Sequence, residues 1–139
     1  MEKTALLQPV IALVLWTLIV WVWMYATRIP AMRAAGIDPQ AARHKGALDK
    51  LPSGSRQVAE NYNHLMEQPT IFYAAALTAA IAGAATPVTV GAAWTYVGLR
   101  VVHSLVQNTI NLVVLRFLVF ALSTIALAVL AVSTLRVLF

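Results

Sequence analysis

The chain has 139 residues, of which 60% are hydrophobic and 11% charged, with no cysteine and a formal net charge of +5. A soluble domain carries about 25% charged residues, so this composition, with a mean hydropathy of +0.77, argues against a water-soluble enzyme or nucleic-acid-binding domain. The lack of cysteine excludes disulfides, thiolate metal sites and a cysteine nucleophile. The remaining class is an all-α integral membrane protein.

In chain order, the first uncharged run, Ala5 to Thr27, is long enough for the roughly 20 residues that a spanning helix needs. It predicts a helix over about 7–27, with Trp21, Trp23 and Tyr25 as an aromatic belt near its end. The run is too long for a signal peptide and lacks a small-residue cleavage pattern. A basic loop over about 28–55 follows, and with Arg56 at its end it holds six of the ten Lys and Arg residues. By the positive-inside tendency this loop is cytoplasmic and both termini lie on the other side, which explains the positive charge without nucleic acid. Contact with anionic lipid headgroups is the expected secondary effect. Within the loop, Asp38-Pro39 reads as the cap and first position of a short interfacial helix, and Ser55 as the cap of the next one.

A second helix is predicted over about 56–83, with a kink at Pro69. Arg56, Glu60, Asn63 and Glu67 recur along it at steps of 4, 3 and 4. The third helix, about 91–111, carries Arg100, His103, Gln107 and Asn111 at steps of 3, 4 and 4, within about 80° of one another. Tyr96 lies one turn before Arg100. The fourth, about 113–136, opens with Arg116. Ionisable groups at membrane depth face a protein interior or a wet cavity, so the two rows predict one polar site between helices at the cytoplasmic leaflet. A Glu67–Arg100 ion pair is its simplest content, and the excess of guanidinium groups points to an anionic ligand. No metal site is read, because His64 and Glu67 lack a second histidine placed with them.

The string Asn63-His-Leu-Met-Glu67-Gln-Pro69, with Arg100-Val-Val-His103 and Arg116 beyond it, resembles the MAPEG family, the membrane-associated proteins of eicosanoid and glutathione metabolism. The likeness covers nearly the whole chain and is nearest to a divergent bacterial branch. It implies a single domain over 1–139, a four-helix bundle assembling as a homotrimer in the bacterial inner membrane. It further implies glutathione as co-substrate and a lipophilic electrophile or hydroperoxide as second substrate, as in detoxifying transferases and peroxidases. Asn63, Glu67, Arg100 and His103 inherit glutathione contacts, and Arg116 inherits thiolate stabilisation. Arg56, Tyr96 and Gln107 complete the expected ligand set. The chain departs from the eicosanoid enzymes at Gln107 and Ala59, where they carry tyrosine and arginine, and in the spacing of four between Asn63 and Glu67. The alternative is a non-catalytic lipid- or amphiphile-binding protein of the same fold. A small proton-coupled exporter fits less well, because such proteins place their acidic residue in the first helix, which has none here.

Overall fold

The computed structural model describes Glu2 and residues 4–139, apart from the side chain of Lys45. Among the described residues there are five α-helices: α1 (Thr4–Ala34), α2 (Ser53–Leu65), α3 (Pro69–Ile81), α4 (Pro87–Asn108) and α5 (Val113–Leu138). Two 3-10 turns, Pro39–Arg43 and Lys45–Leu48, fill the link after α1.

α1 and α5 are each long and apolar enough to cross a membrane. On α1 a single stripe, Leu6, Pro9, Leu13, Thr17, Val20 and Met24, turns inward at helical spacing. Ile11, Leu15, Leu18, Ile19 and Val22 are all more than half exposed. A water-soluble protein does not leave large apolar side chains out in such a continuous array, whereas hydrocarbon is their natural surrounding. The chain is therefore an integral membrane protein. α1 runs on to Ala34, seven residues past the expected end, and Gly36 at φ 65° ends it in a left-handed turn.

The break at Pro69 divides the second helix of the sequence reading into α2 and α3. Proline offers no N–H to the Leu65 carbonyl, and the bonds around it shorten to three-residue steps, Met66 N–H to Asn63 and Glu67 N–H to His64. Met66 and Gln68 keep right-handed backbone angles, so α3 continues after α2 and both lie against α1. α2 begins at Ser53 with Pro52 before it. Ser55 is buried inside the helix and does not cap it. Asp38 does cap, accepting from the Gln40 N–H at 2.9 Å, but the segment it opens is a 3-10 turn.

α3 ends where Gly83, at φ 71°, turns left-handed and Ala84 N–H reaches back to the Ala79 carbonyl. α4 starts four residues earlier than expected, because Thr86 and Thr89 form a reciprocal cap around Pro87. A link of four residues turns α4 back into α5, and these two make the closest helix pair. The apolar core joins Leu6, Leu13 and Val20 to Phe72, Ala76 and Ala79 of α3, Tyr96 of α4 and Leu130 of α5. Its alanines allow the close approach that helix packing in lipid requires. The Phe72 and Tyr96 rings stack at 4.5 Å.

Candidate functional site

α2 is the polar helix of the bundle, and it carries two polar rows, not one. The row facing α4 is Gln57, Asn61, His64 and Gln68. Gln57 Nε2 donates to the carbonyls of Asn108 and Thr109 at 3.2 and 3.4 Å, satisfying two of the orphan acceptors at the end of α4. Ser104 Oγ donates to Asn61 Oδ1 at 3.2 Å. Arg100 Nη2 lies 3.0 Å from His64 Nδ1 and 3.4 Å from the His64 carbonyl. Because a guanidinium only donates, Nδ1 accepts and the ring proton sits on Nε2. Tyr96 Oη donates to Gln68 Oε1 at 3.3 Å, while Gln68 Nε2 donates to Thr124 Oγ1 of α5 at 2.9 Å. Three successive positions of one α2 face, and Gln68 in the turn that follows it, are thus tied to α4.

The third-helix residues of the sequence reading belong to this interior seam. Tyr96 and Arg100 are fully buried, and His103 and Gln107 nearly so. His103 stacks on His64 at 5.1 Å, and Phe120 of α5 covers the guanidinium of Arg100 at 5.8 Å. The Glu67–Arg100 ion pair does not form. Arg100 spends Nη2 on His64, its Nε and Nη1 have no hydrogen-bond partner, and Glu67 is exposed in the turn before Pro69. Nor do the two expected rows meet. Arg56, Glu60, Asn63 and Glu67 all lie on the exposed side of α2. The physical reason is rotational: adjacent residues differ by about 100° on a helix, and the uncharged row one position later is the one that faces α4. Asn61, His64 and Gln68 also carry the interhelical hydrogen bonds, and their signal in the sequence is the 57, 61, 64, 68 spacing.

The exposed row borders a cleft of about 420 Å³ between α1, the Leu48–Leu51 link and α2. Arg28 of α1, Asp49 of the link, and Arg56, Glu60 and Asn63 of α2 line it, with Tyr25 and Tyr62 on its walls. Two guanidinium groups and two carboxylates thus border one space of ligand-pocket size. Glu67 lies one turn beyond the cleft lining. On its lipid side the cleft shares Tyr25 with an apolar groove formed by Trp21, Val22, Ala26, Ile29 and Pro30. Asp49 escaped the sequence reading because it comes from a segment whose charge reads as topology or solvation, whereas Arg28 counts among the excess guanidinium groups.

Arg116 is half-buried in the first turn of α5 and does not line the cleft. Its Nη1 donates to Asn111 Oδ1 at 2.5 Å, and Asn111 Nδ2 donates to Gln57 Oε1 at 3.1 Å. A chain of hydrogen bonds therefore joins α2 to the arginine that opens α5. Among the described residues, no group of three His, Cys, Asp or Glu side chains gathers as a metal site requires.

Comparison with curated proteins gives no match, and comparison with solved structures gives none. The sequence model of the MAPEG family matches residues 6–136. With nearly the whole chain matched, and with apolar outer helices enclosing a polar α2–α4 seam, this protein belongs to the MAPEG family.

Proposed function

We propose that this integral membrane protein, of a family that includes glutathione transferases and peroxidases, binds glutathione in the α1–α2 cleft and delivers its thiolate to a lipophilic electrophile or hydroperoxide. The observation that carries the reading is the double charge of the cleft. Glutathione brings two carboxylates and one ammonium group. Arg28 and Arg56 suit the carboxylates as forked donors, Asp49 or Glu60 suits the ammonium, and Asn63 suits a peptide group. Glu67 sits where the end of the tripeptide, or a neighbouring copy, meets the same row.

The chemistry needs a thiolate. A fixed positive charge near the sulfur favours the ionised form, and Arg116, anchored by Asn111, is the residue assigned that role. Arg116 does not line the cleft of its own chain, so the site is completed by a neighbouring copy in a homotrimer. In transfer, the sulfur forms its bond to an electrophilic carbon, the displaced pair leaves with the leaving group or is protonated, and the thiol proton passes to solvent. In peroxide reduction, two glutathione molecules supply two electrons and yield a disulfide, an alcohol and water. The second substrate enters from the bilayer along the groove beside Tyr25. With the basic link cytoplasmic, as in a bacterial inner membrane, the cleft opens at the cytoplasmic leaflet. A second reading, a non-catalytic amphiphile-binding protein, is favoured by that same groove, with a headgroup in the cleft and an apolar chain along α1.

Calorimetric titration of the detergent-purified protein with glutathione separates the two. The enzyme reading expects saturable binding, weakened roughly tenfold or more by Arg56→Ala, the equivalent of about 1.4 kcal/mol from one charge-assisted contact. It also expects Arg116→Ala to keep binding while losing turnover and the ultraviolet absorbance of bound thiolate. No saturation at millimolar glutathione sinks it, and co-purified lipid then supports the second reading. Full turnover in the Arg116 variant removes that residue from the chemistry.

A further inference from the structure

The two rows of α2 are one residue out of step, so that Arg56 is followed by Gln57, Glu60 by Asn61, Asn63 by His64 and Glu67 by Gln68. Rotating α2 by about 100° would exchange them. Both rows are polar, and the buried apolar positions of α2, Val58, Ala59 and Leu65, fix only which broad side of the helix turns inward. The apolar contacts of α2, Val58 and Ala59 beside Met24 and Leu65 in the main core, are non-directional and tolerate a range of rotations about that side. Hydrogen bonds have angular requirements and narrow that range. The inner row makes them at every turn: Gln57 to the end of α4, Asn61 to Ser104, His64 to Arg100, and Gln68 to Tyr96 and Thr124.

We propose that the inner row is the positioning device of the outer one. Gln57, Asn61, His64 and Gln68 hold α2 in the rotational setting that presents Arg56, Glu60 and Asn63 to the cleft. Gln57 extends the same control through Asn111 to Arg116. Arg100 and His103, which meet His64 by a hydrogen bond and a ring stack, are then positioning residues buried within the chain, and not ligand contacts. The His64–Arg100 rung is central, because it is the one in which a charged donor from a fully buried side chain meets its acceptor. The inference takes its ligand, though not its geometry, from the glutathione reading.

The chain has no cysteine, so Glu60→Cys carries a single spin label on the exposed row without background. The label's mobility is compared in the parent, His64→Ala and His64→Asn. The asparagine Oδ1 takes the place of Nδ1 as acceptor for Arg100. Glutathione affinity is measured on the unlabelled proteins. We expect His64→Ala to free the label and to weaken glutathione binding roughly tenfold, and His64→Asn to restore both. Ser104→Ala, a milder cut of the neighbouring rung, moves both readouts in the same direction by less, and it decides the matter if His64→Ala does not fold. An immobile label in both alanine variants overturns the proposal. So does a label freed equally by His64→Ala and His64→Asn, since ring packing and not the bond would then be responsible. A label that responds as expected in a protein that binds no glutathione leaves the positioning role standing and removes the glutathione reading.

Discussion

Asn111 is the residue at which backbone and side-chain demands coincide. Its φ of 48° places it in the left-handed region, which costs most L-residues about 1–2 kcal/mol and which asparagine tolerates. Its side chain meanwhile links Gln57 to Arg116. The two duties separate on substitution. Asn111→Ala is expected to lower stability by about 1–2 kcal/mol, whereas Asn111→Gly removes the backbone cost and melts near the parent temperature. Both variants release Arg116, so both are expected to lose glutathione turnover. Thermal melting and activity of the detergent-purified variants check this, and equal melting of the two would show that the backbone conformation carries no penalty. The sequence showed Asn111 as a member of the third-helix polar row. Its place in a turn, with a left-handed backbone, depends on α4 ending at Asn108.

At the scale of the element, α2 was legible as a polar helix but not in its rotation. Arg56, Glu60, Asn63 and Glu67 stood out because they are mostly charged, and charge at membrane depth draws attention to a row as a site. The row that meets α4 is uncharged, which is what burial without counter-ions requires. The break at Pro69 was readable, since a missing N–H has one local consequence. That the break lets Gln68 reach both Tyr96 and Thr124 was not. Pro69→Ala is expected to restore one helical bond, raise the helical signal in circular dichroism and turn Gln68 away from its partners. Glutathione affinity should then fall although the melting temperature does not. Unchanged affinity would show that the break has no part in setting the cleft.

For the whole molecule, the surface poses a problem that one copy does not solve. Large apolar side chains of α1 and α5 are exposed, as lipid contact demands, yet the outer row beginning on α2 is exposed as well. Charged groups facing hydrocarbon are costly, and a neighbouring copy that covers the row while leaving the cleft open removes the cost. Native mass spectrometry of the protein released from detergent is expected to show three copies. A monomer would leave the cleft without Arg116 among its lining residues and defeat the shared site.

Composition alone determined the solvent of this protein. With 11% charged residues among 60% hydrophobic ones, burial in lipid is the inexpensive state, and uncharged runs of spanning length follow from it. Local chemistry determined most helix limits, through proline, glycine and threonine at their ends. The motifs of the second and third helices, read together, determined the family, and its sequence model matches residues 6–136. What only the tertiary structure decided was which of two adjacent polar rows turns inward, and therefore that Arg100 meets His64 and not Glu67. Periodicity places residues on a common face, but the direction of that face is set by the apolar packing and the hydrogen bonds that the neighbouring helices offer.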